Sequence, residues 1–296
     1  FDELDTLEKR TGIILSGSPT QTVGYSPVSE LRKVKHPIPL LSLDKTKLAR
    51  DILDFVKKGK GPTNLMLKMD GLTVELDYDG GTLQEASTRG DGEIGEDITH
   101  NVPAFINVPL TIPYTGKLKV TGEAHIRIDD FLNLQSSIID RNGEPYKTPR
   151  NLAAGSVRTL DPAVCKGRCV SFIPFNVLEG LDYETVIGDS KSAKLSRLKD
   201  YGFGSCDSYT IDCSTSLEEI ENLIERLQAT AQSKMIPIDG IVAVYDSISY
   251  SKSCGRTGHH YKDGLAFKFE DETFETVFRS TEWTPTRSGE LAPVAL

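Results

Sequence analysis

No apolar run in this chain approaches the ~20 residues that cross a bilayer, so no membrane helix is expected. The acidic start, Phe1-Asp2-Glu3-Leu4-Asp5, lacks the basic and apolar stretches of a signal peptide. Cysteine is sparse: Cys165, Cys169, Cys206, Cys213 and Cys254 make an odd, scattered five. Cys165 and Cys169 stand four apart, but no second Cys or His pair follows at zinc-ligand spacing. Reduced thiols and a cytoplasmic protein are therefore expected. An excess of basic charge is missing too, since 34 Lys+Arg against 43 Asp+Glu leave a net −9. Phosphate neutralisation supplies most of the affinity for nucleic acid. Any such grip must then be local or be shared with another domain.

What is present is ordinary globular material. The 296 residues are 38% hydrophobic and 26% charged, with 25 Gly and 15 Pro, which excludes a collagenous, coiled-coil or wholly disordered chain. That length suits one large domain or two smaller ones, burying roughly three quarters of the unfolded surface. The chain begins at Phe1 rather than Met and is expected to be a fragment of a longer protein.

Leu4 and Leu7 predict a short helix over 2–10, and the Ser-Pro steps with Pro37 and Pro39 predict a loop over 11–40. Leu48, Ile52, Leu53 and Val56 form one stripe of a helix over 45–58, stopped by Gly59-Lys60-Gly61-Pro62. The period then changes to two. Residues 65–69, 73–78 and, after Asp79-Gly80-Gly81, 82–88 read as an antiparallel meander. Its glycines make no dinucleotide fingerprint, so no Rossmann domain is expected. Further helices are predicted near 96–101, over 129–140 with an Asp129-Asp130 cap, and over 150–159, 191–201 and 216–231. Extended segments are predicted over 118–126, 169–178, 238–245, 264–269 and 274–282. Helices and hairpins intermix without repeats, so the class is α+β, mainly antiparallel sheets packed with helices.

Lys68-Met69-Asp70-Gly71 ends an apolar strand with a lysine, an aspartate and a turn glycine. Burial lowers a lysine's pKa, and the neutral amine is a nucleophile. A strand-end lysine snorkelling to water carries the same four letters. The neighbours narrow the choice: Thr88-Arg89-Gly90-Asp91-Gly92, Gly95-Glu96-Asp97-Ile98-Thr99, Gly122-Glu123, Pro149-Arg150-Asn151 with Ala153-Ala154-Gly155-Ser156-Val157-Arg158, Ile238-Asp239-Gly240, and Ala266-Phe267-Lys268-Phe269. With Ser18-Pro19-Thr20-Gln21, Val23-Gly24, His36-Pro37 and Leu41-Ser42-Leu43-Asp44, this set resembles the adenylation domain of bacterial NAD-dependent DNA ligases over nearly the whole chain.

The resemblance implies a nucleotidyltransferase fold over 11–270, a remnant of an NMN-binding helical domain over 1–10, and the first strands of an OB domain over 271–296. It implies that Lys68 attacks NAD to form lysyl-AMP, and that AMP then passes to the 5′-phosphate of a nick in duplex DNA for sealing. Asp70 would orient Lys68, Arg89 would contact the AMP ribose or phosphate, and Lys268 would neutralise the α-phosphate. Ser42, Leu43 and Phe175 would line the nucleotide site, Phe175 as the aromatic that stacks on adenine. Glu123 would bind ribose or, with Asp239, hold Mg²⁺. Arg150 and Arg158 would grip phosphates of the nick, where a guanidinium fork suits bidentate contact. Eight apart on a helix, they stand roughly 80° apart, which suits surface charges equally well. A monomer is expected.

Three positions depart from the family pattern. Met66 replaces the acid of ExKxDG that would read the adenine amino group, Thr121 replaces the arginine of RGE, and Val244 replaces the lysine of DGxxxK. Losing such a cation costs on the order of 10²–10⁴ in rate. The alternative is therefore a degenerate descendant that binds adenine nucleotide or a partner without ligating. ATP-using relatives such as RNA ligases and capping enzymes share KxDG but not the Thr88–Gly92 and Pro149–Ser156 segments.

Overall fold

In the computed structural model, residues 10–11, 30–140, 143–182, 188–258, 260–269, 277–285 and 291–295 are described. The predicted helix over 2–10 (apart from Arg10), Ser18–Gly24 and Arg287–Gly289 lie outside them. The architecture is α+β with mainly antiparallel sheets, as expected.

The first described strands, β1 (Lys33–Lys35) and β2 (Ser42–Thr46), correct two expectations. β1 occupies part of the expected loop over 11–40, and β2 takes the residues where the first long helix was expected to begin. That helix, α1 (Ala49–Lys58), starts later because Leu48 is extended, and Leu48 is 61% exposed instead of joining the stripe. Ile52, Leu53 and Val56 are buried as the periodicity required. Gly59 ends the helix, and its bare Cα is needed: a Cβ there would meet the Tyr245 ring at 2.4 Å.

β3 (Thr63–Met69), β4 (Leu72–Asp79) and β5 (Thr82–Thr88) do not form one meander. β4 and β5 pair as a hairpin, while β3 belongs to a different sheet. The chain crosses between the sheets at Asp70-Gly71. Gly71 permits the crossing, because a Cβ would lie 2.2 Å from the Ala124 carbonyl. The two segments serve two cores. Leu65, Leu67 and Met69 pack with Ile52, Val56 and Leu227, whereas Val74, Leu76 and Tyr78 pack with Val120, Leu152 and Phe172.

Instead of a helix near 96–101, β6 (Ile94–Glu96) pairs with β1, and a 3₁₀ turn follows over Thr99–Ala104. The Asp97 carboxylate accepts from the Thr99 N–H at 3.0 Å, and Pro103 sits inside the turn, both of which favour the tighter coil. β7 (Leu118–His125) precedes α2 (Ile128–Leu134), which is shorter than predicted and capped at Arg127. The Asp129 carboxylate turns back to the Arg127 guanidinium, at 2.6 Å, and so does not cap. α3 (Pro149–Val157) is capped by Thr148, whose hydroxyl accepts from the Asn151 N–H at 3.2 Å, with Pro149 opening the first turn.

α4 (Pro162–Lys166), β8 (Ser171–Glu179), α5 (Lys191–Asp200), β9 (Ser208–Ile211), α6 (Leu217–Ser233), β10 (Ile238–Tyr245), α7 (Ile248–Cys254) and β11 (His260–Lys268) complete the body. One sheet has five strands in the order β2-β11-β10-β3-β9, the other four in the order β5-β4-β7-β8. Only β2 against β11 runs parallel among these pairs. β12 (Thr281–Pro285) and β13 (Leu291–Ala295) form a separate antiparallel pair, so the strand expected over 274–282 begins at Thr281 in its described part. All five cysteines are free, and no described helix is long and apolar enough to cross a membrane.

Candidate active site

Along β3, Asn64, Met66 and Lys68 alternate with the core residues Leu65, Leu67 and Met69. They face a cavity of about 1340 Å³ lined by residues of both sheets. On the neighbouring β10, Val242 and Val244 share that cavity. Strict alternation would turn Asp239 away from them, but a register shift between Ile238 and Gly240 brings it to the same side. Pairing then sets Lys68 opposite Gly240, and Gly240 opposite Lys268 of β11. Glycine at 240 lets these strands close up, since a Cβ would sit 2.1 Å from the Phe267 carbonyl.

The result is a triad of charges. Lys68 Nζ donates to Asp239 Oδ1 at 2.8 Å and to Oδ2 at 3.0 Å. Lys268 Nζ lies 3.2 Å from the same Oδ2. Asp70, expected to orient Lys68, instead accepts from Arg150 Nη1 at 2.8 Å. It is the one predicted site residue that does not line the cavity. Arg150 does, as does Arg158, the C-cap residue of α3. Arg158 and Lys33 both bind the Glu96 carboxylate and hold it below the usual carboxylate range. Both arginines are thus exposed, at 54% and 44%, yet each is paired with a carboxylate.

Glu123 projects from β7 beneath the Lys68 turn. It accepts from the Gly71 N–H at 3.2 Å and from the Thr73 hydroxyl at 2.9 Å. Desolvation pushes its carboxyl up to about 7, against the Thr73 bond and the nearby charges of Lys68, Arg150 and Arg89. Arg89 follows β5, its backbone N–H held by the Thr73 carbonyl at 3.0 Å, and its side chain lines the cavity. Ser42 and Leu43 of β2 and Phe175 of β8 contribute walls.

Glu123 and Asp239, the expected Mg²⁺ ligands, both line the cavity. Their oxygens are engaged by an N–H, a hydroxyl and two ammonium groups, and no described group of three or more His, Cys, Asp or Glu could hold a metal.

Three departures from the pattern, Met66, Thr121 and Val244, all line the cavity. So do residues that motif reading did not find. Lys191 at the start of α5 binds Asp263 at 2.5 Å, and Arg256 stands at the same cavity; neither lies in a recognisable motif. Lys252, close enough in sequence to stand in for the cation missing at Val244, lines the cavity as well, whereas Lys262 does not. His36, of the His36-Pro37 motif, is buried. Its Nε2 lies 3.1 Å from the Thr88 carbonyl, steadying the strand end that carries Arg89.

A sequence model of the NAD-dependent DNA ligase adenylation domain matches residues 28–272. The chain belongs to that family. Among curated relatives, it is 40% identical over 299 residues to the DNA ligase of Lachnoclostridium phytofermentans, covering 100% of this chain and 44% of that protein. It is 40% identical over 296 residues to the DNA ligase of Ruminiclostridium cellulolyticum, with coverage of 100% and 44%. A third, the DNA ligase of Oceanobacillus iheyensis, is 34% identical over 301 residues, at 99% and 44% coverage. This adenylation domain therefore spans less than half the length of the curated ligases it matches.

Proposed function

We propose that this adenylation domain transfers the adenylyl group of NAD to the ε-amine of Lys68, as the first step of DNA nick sealing by a longer protein. The observation that carries the reading is the Lys68–Asp239–Lys268 cluster at the wall of a nucleotide-sized cavity. Lys68 must shed a proton before it attacks, and the Asp239 carboxylate is the adjacent acceptor. The amine nitrogen then bonds to the α-phosphorus, the bond to the bridging oxygen breaks, and nicotinamide mononucleotide leaves with that oxygen. A lysyl-AMP phosphoramidate remains.

Phosphoryl chemistry of this kind depends on positioning and charge neutralisation. Lys268, relieved of Asp239 as that carboxylate takes the proton, meets the α-phosphate. Arg89 and Glu123 hold the ribose side, and Phe175 offers an aromatic face to the base. In the second step AMP passes to the 5′-phosphate of the nick, and in the third the 3′-hydroxyl displaces it. Arg150 and Arg158 would exchange Asp70 and Glu96 for DNA phosphates in those steps. Residues 271–296 belong to the opening of an OB-type domain, a reading supported by the β12–β13 pair standing apart from both large sheets.

Intact mass before and after incubation with NAD tests the first step, with the as-purified mass as reference. A single adenylyl adduct that is absent from Lys68→Ala is expected. An unmodified mass throughout, with nucleotide still bound in calorimetry, would leave a binding-only descendant.

A further inference from the structure

We propose that the base-holding surface of this cavity recognises a purine by its shape and not by its 6-substituent, so that hypoxanthine nucleotides bind about as well as adenine nucleotides. The inference rests on the nucleotide-binding reading above and concerns what that site selects.

The register of β3, β10 and β11 places residues in lateral rows. Lys68, Gly240 and Lys268 form the first row, Met66, Val242 and Ala266 the second, and Asn64, Val244 and Gly264 the third. Rows on one face lie two residues apart, about 6.6 Å, comparable to the span from a 5′-phosphate to its base. A phosphate held by the two lysines therefore lays its base along the second row and toward the third.

That ground is apolar. Met66 is 5% exposed, and Val242 and Ala266 beside it bring no polar side chain. In the third row, a Cβ on Gly264 would lie 2.9 Å from Val244 Cγ1 and 3.0 Å from Leu43 Cδ2, so these two side chains close over the glycine. Three polar side chains beside these rows are already committed. Asn64 donates to Asp246 at 2.6 Å and accepts from the Thr210 hydroxyl at 3.3 Å. Lys191 holds Asp263 at 2.5 Å. The Thr121 hydroxyl is directed at the Asn176 carbonyl, 3.5 Å away.

Adenine presents a 6-amino donor and an N1 acceptor, whereas hypoxanthine presents a 6-oxo acceptor and an N1–H donor. A site discriminates strongly between such edges only when its own buried polar groups are left unpaired by the wrong one. Within the second and third rows neither edge leaves a side-chain partner stranded, and both rings offer the same face to Met66, Val242 and Phe175.

Calorimetric titration of the chain with AMP and with IMP decides the matter. Dissociation constants within about threefold of each other are expected; AMP bound about tenfold tighter or more would overturn the inference. Binding of neither nucleotide would overturn the nucleotide reading itself, a distinct failure. Met66→Glu, with folding checked by circular dichroism, is expected to create a preference for AMP of about tenfold, by giving the amino group an acceptor. Equal affinities in a folded Met66→Glu chain would remove the base from the second row. Should that variant not fold, the unmodified chain's AMP-to-IMP ratio alone decides.

Discussion

At one end of the cavity, Lys68 and Lys268 flank Gly240 and share Asp239; two rows away on the same strands, Val244 packs beside Leu43 over Gly264. The same three strands run through both ends. The charged end exists because a register shift in β10 turns Asp239 toward the lysines. The apolar end has an irregularity of its own, a register shift between Tyr261 and Leu265 where β11 meets β2, and there Leu43 and Val244 close over Gly264. The same strands thus supply a surface for a ring and, where β10 shifts register at Asp239, a place for chemistry.

The sharpest way to break this contrast is at the charged end. Lys68→Ala is expected to abolish the covalent adenylyl adduct completely, read by intact mass. Lys268→Ala should preserve the nucleophile but lower the single-turnover adenylation rate by about 10²–10³, since it removes one charge aimed at the phosphate. At the apolar end the effect shrinks. Val244 stands two rows, about 13 Å, from the lysines, so Val244→Lys is expected to change the adenylation rate by less than about threefold, with the melting temperature checked alongside. A gain of tenfold or more in a folded variant would show that the third row reaches the phosphate.

Smaller effects refine the picture around the rim. In a full-length protein, Arg150→Ala and Arg158→Ala should each reduce the slope of log affinity for nicked duplex against log salt by about one. Unchanged slopes would confine both arginines to their pairs with Asp70 and Glu96. The mildest effect is on stability. Glu123 titrates at about 7 in the fold, above its ordinary range. The folded state then keeps a proton that the unfolded chain has lost, so stability falls as pH rises from the carboxylate range to about 7. Glu123→Gln is expected to flatten that slope in melting temperature against pH.

Much of this was readable before any coordinates. The helical stripe of Ile52, Leu53 and Val56, the helices expected over 150–159, 191–201 and 216–231, and β10 from end to end follow from periodicity. These are local properties, set within a turn or two of chain. Motif spacing likewise pointed to Lys68, Arg89, Glu123 and Lys268 as companions, and they do share one cavity.

What local pattern could not decide is partnership. Alternation says that 65–69 is a strand but not that β3 leaves β4 for another sheet, because that depends on backbone approach at Gly71 and on which apolar face each core can accept. Nor does KxDG reveal that Lys68 pairs with Asp239 while Asp70 pairs with Arg150. Those choices join residues 171 and 80 positions apart, and a shift of one residue in strand register would undo the first of them. The residue types needed for phosphate chemistry were present in the sequence. Which carboxylate faces which cation was decided only when two sheets closed around one cavity, because charge pairs form by distance in space and not by spacing along the chain.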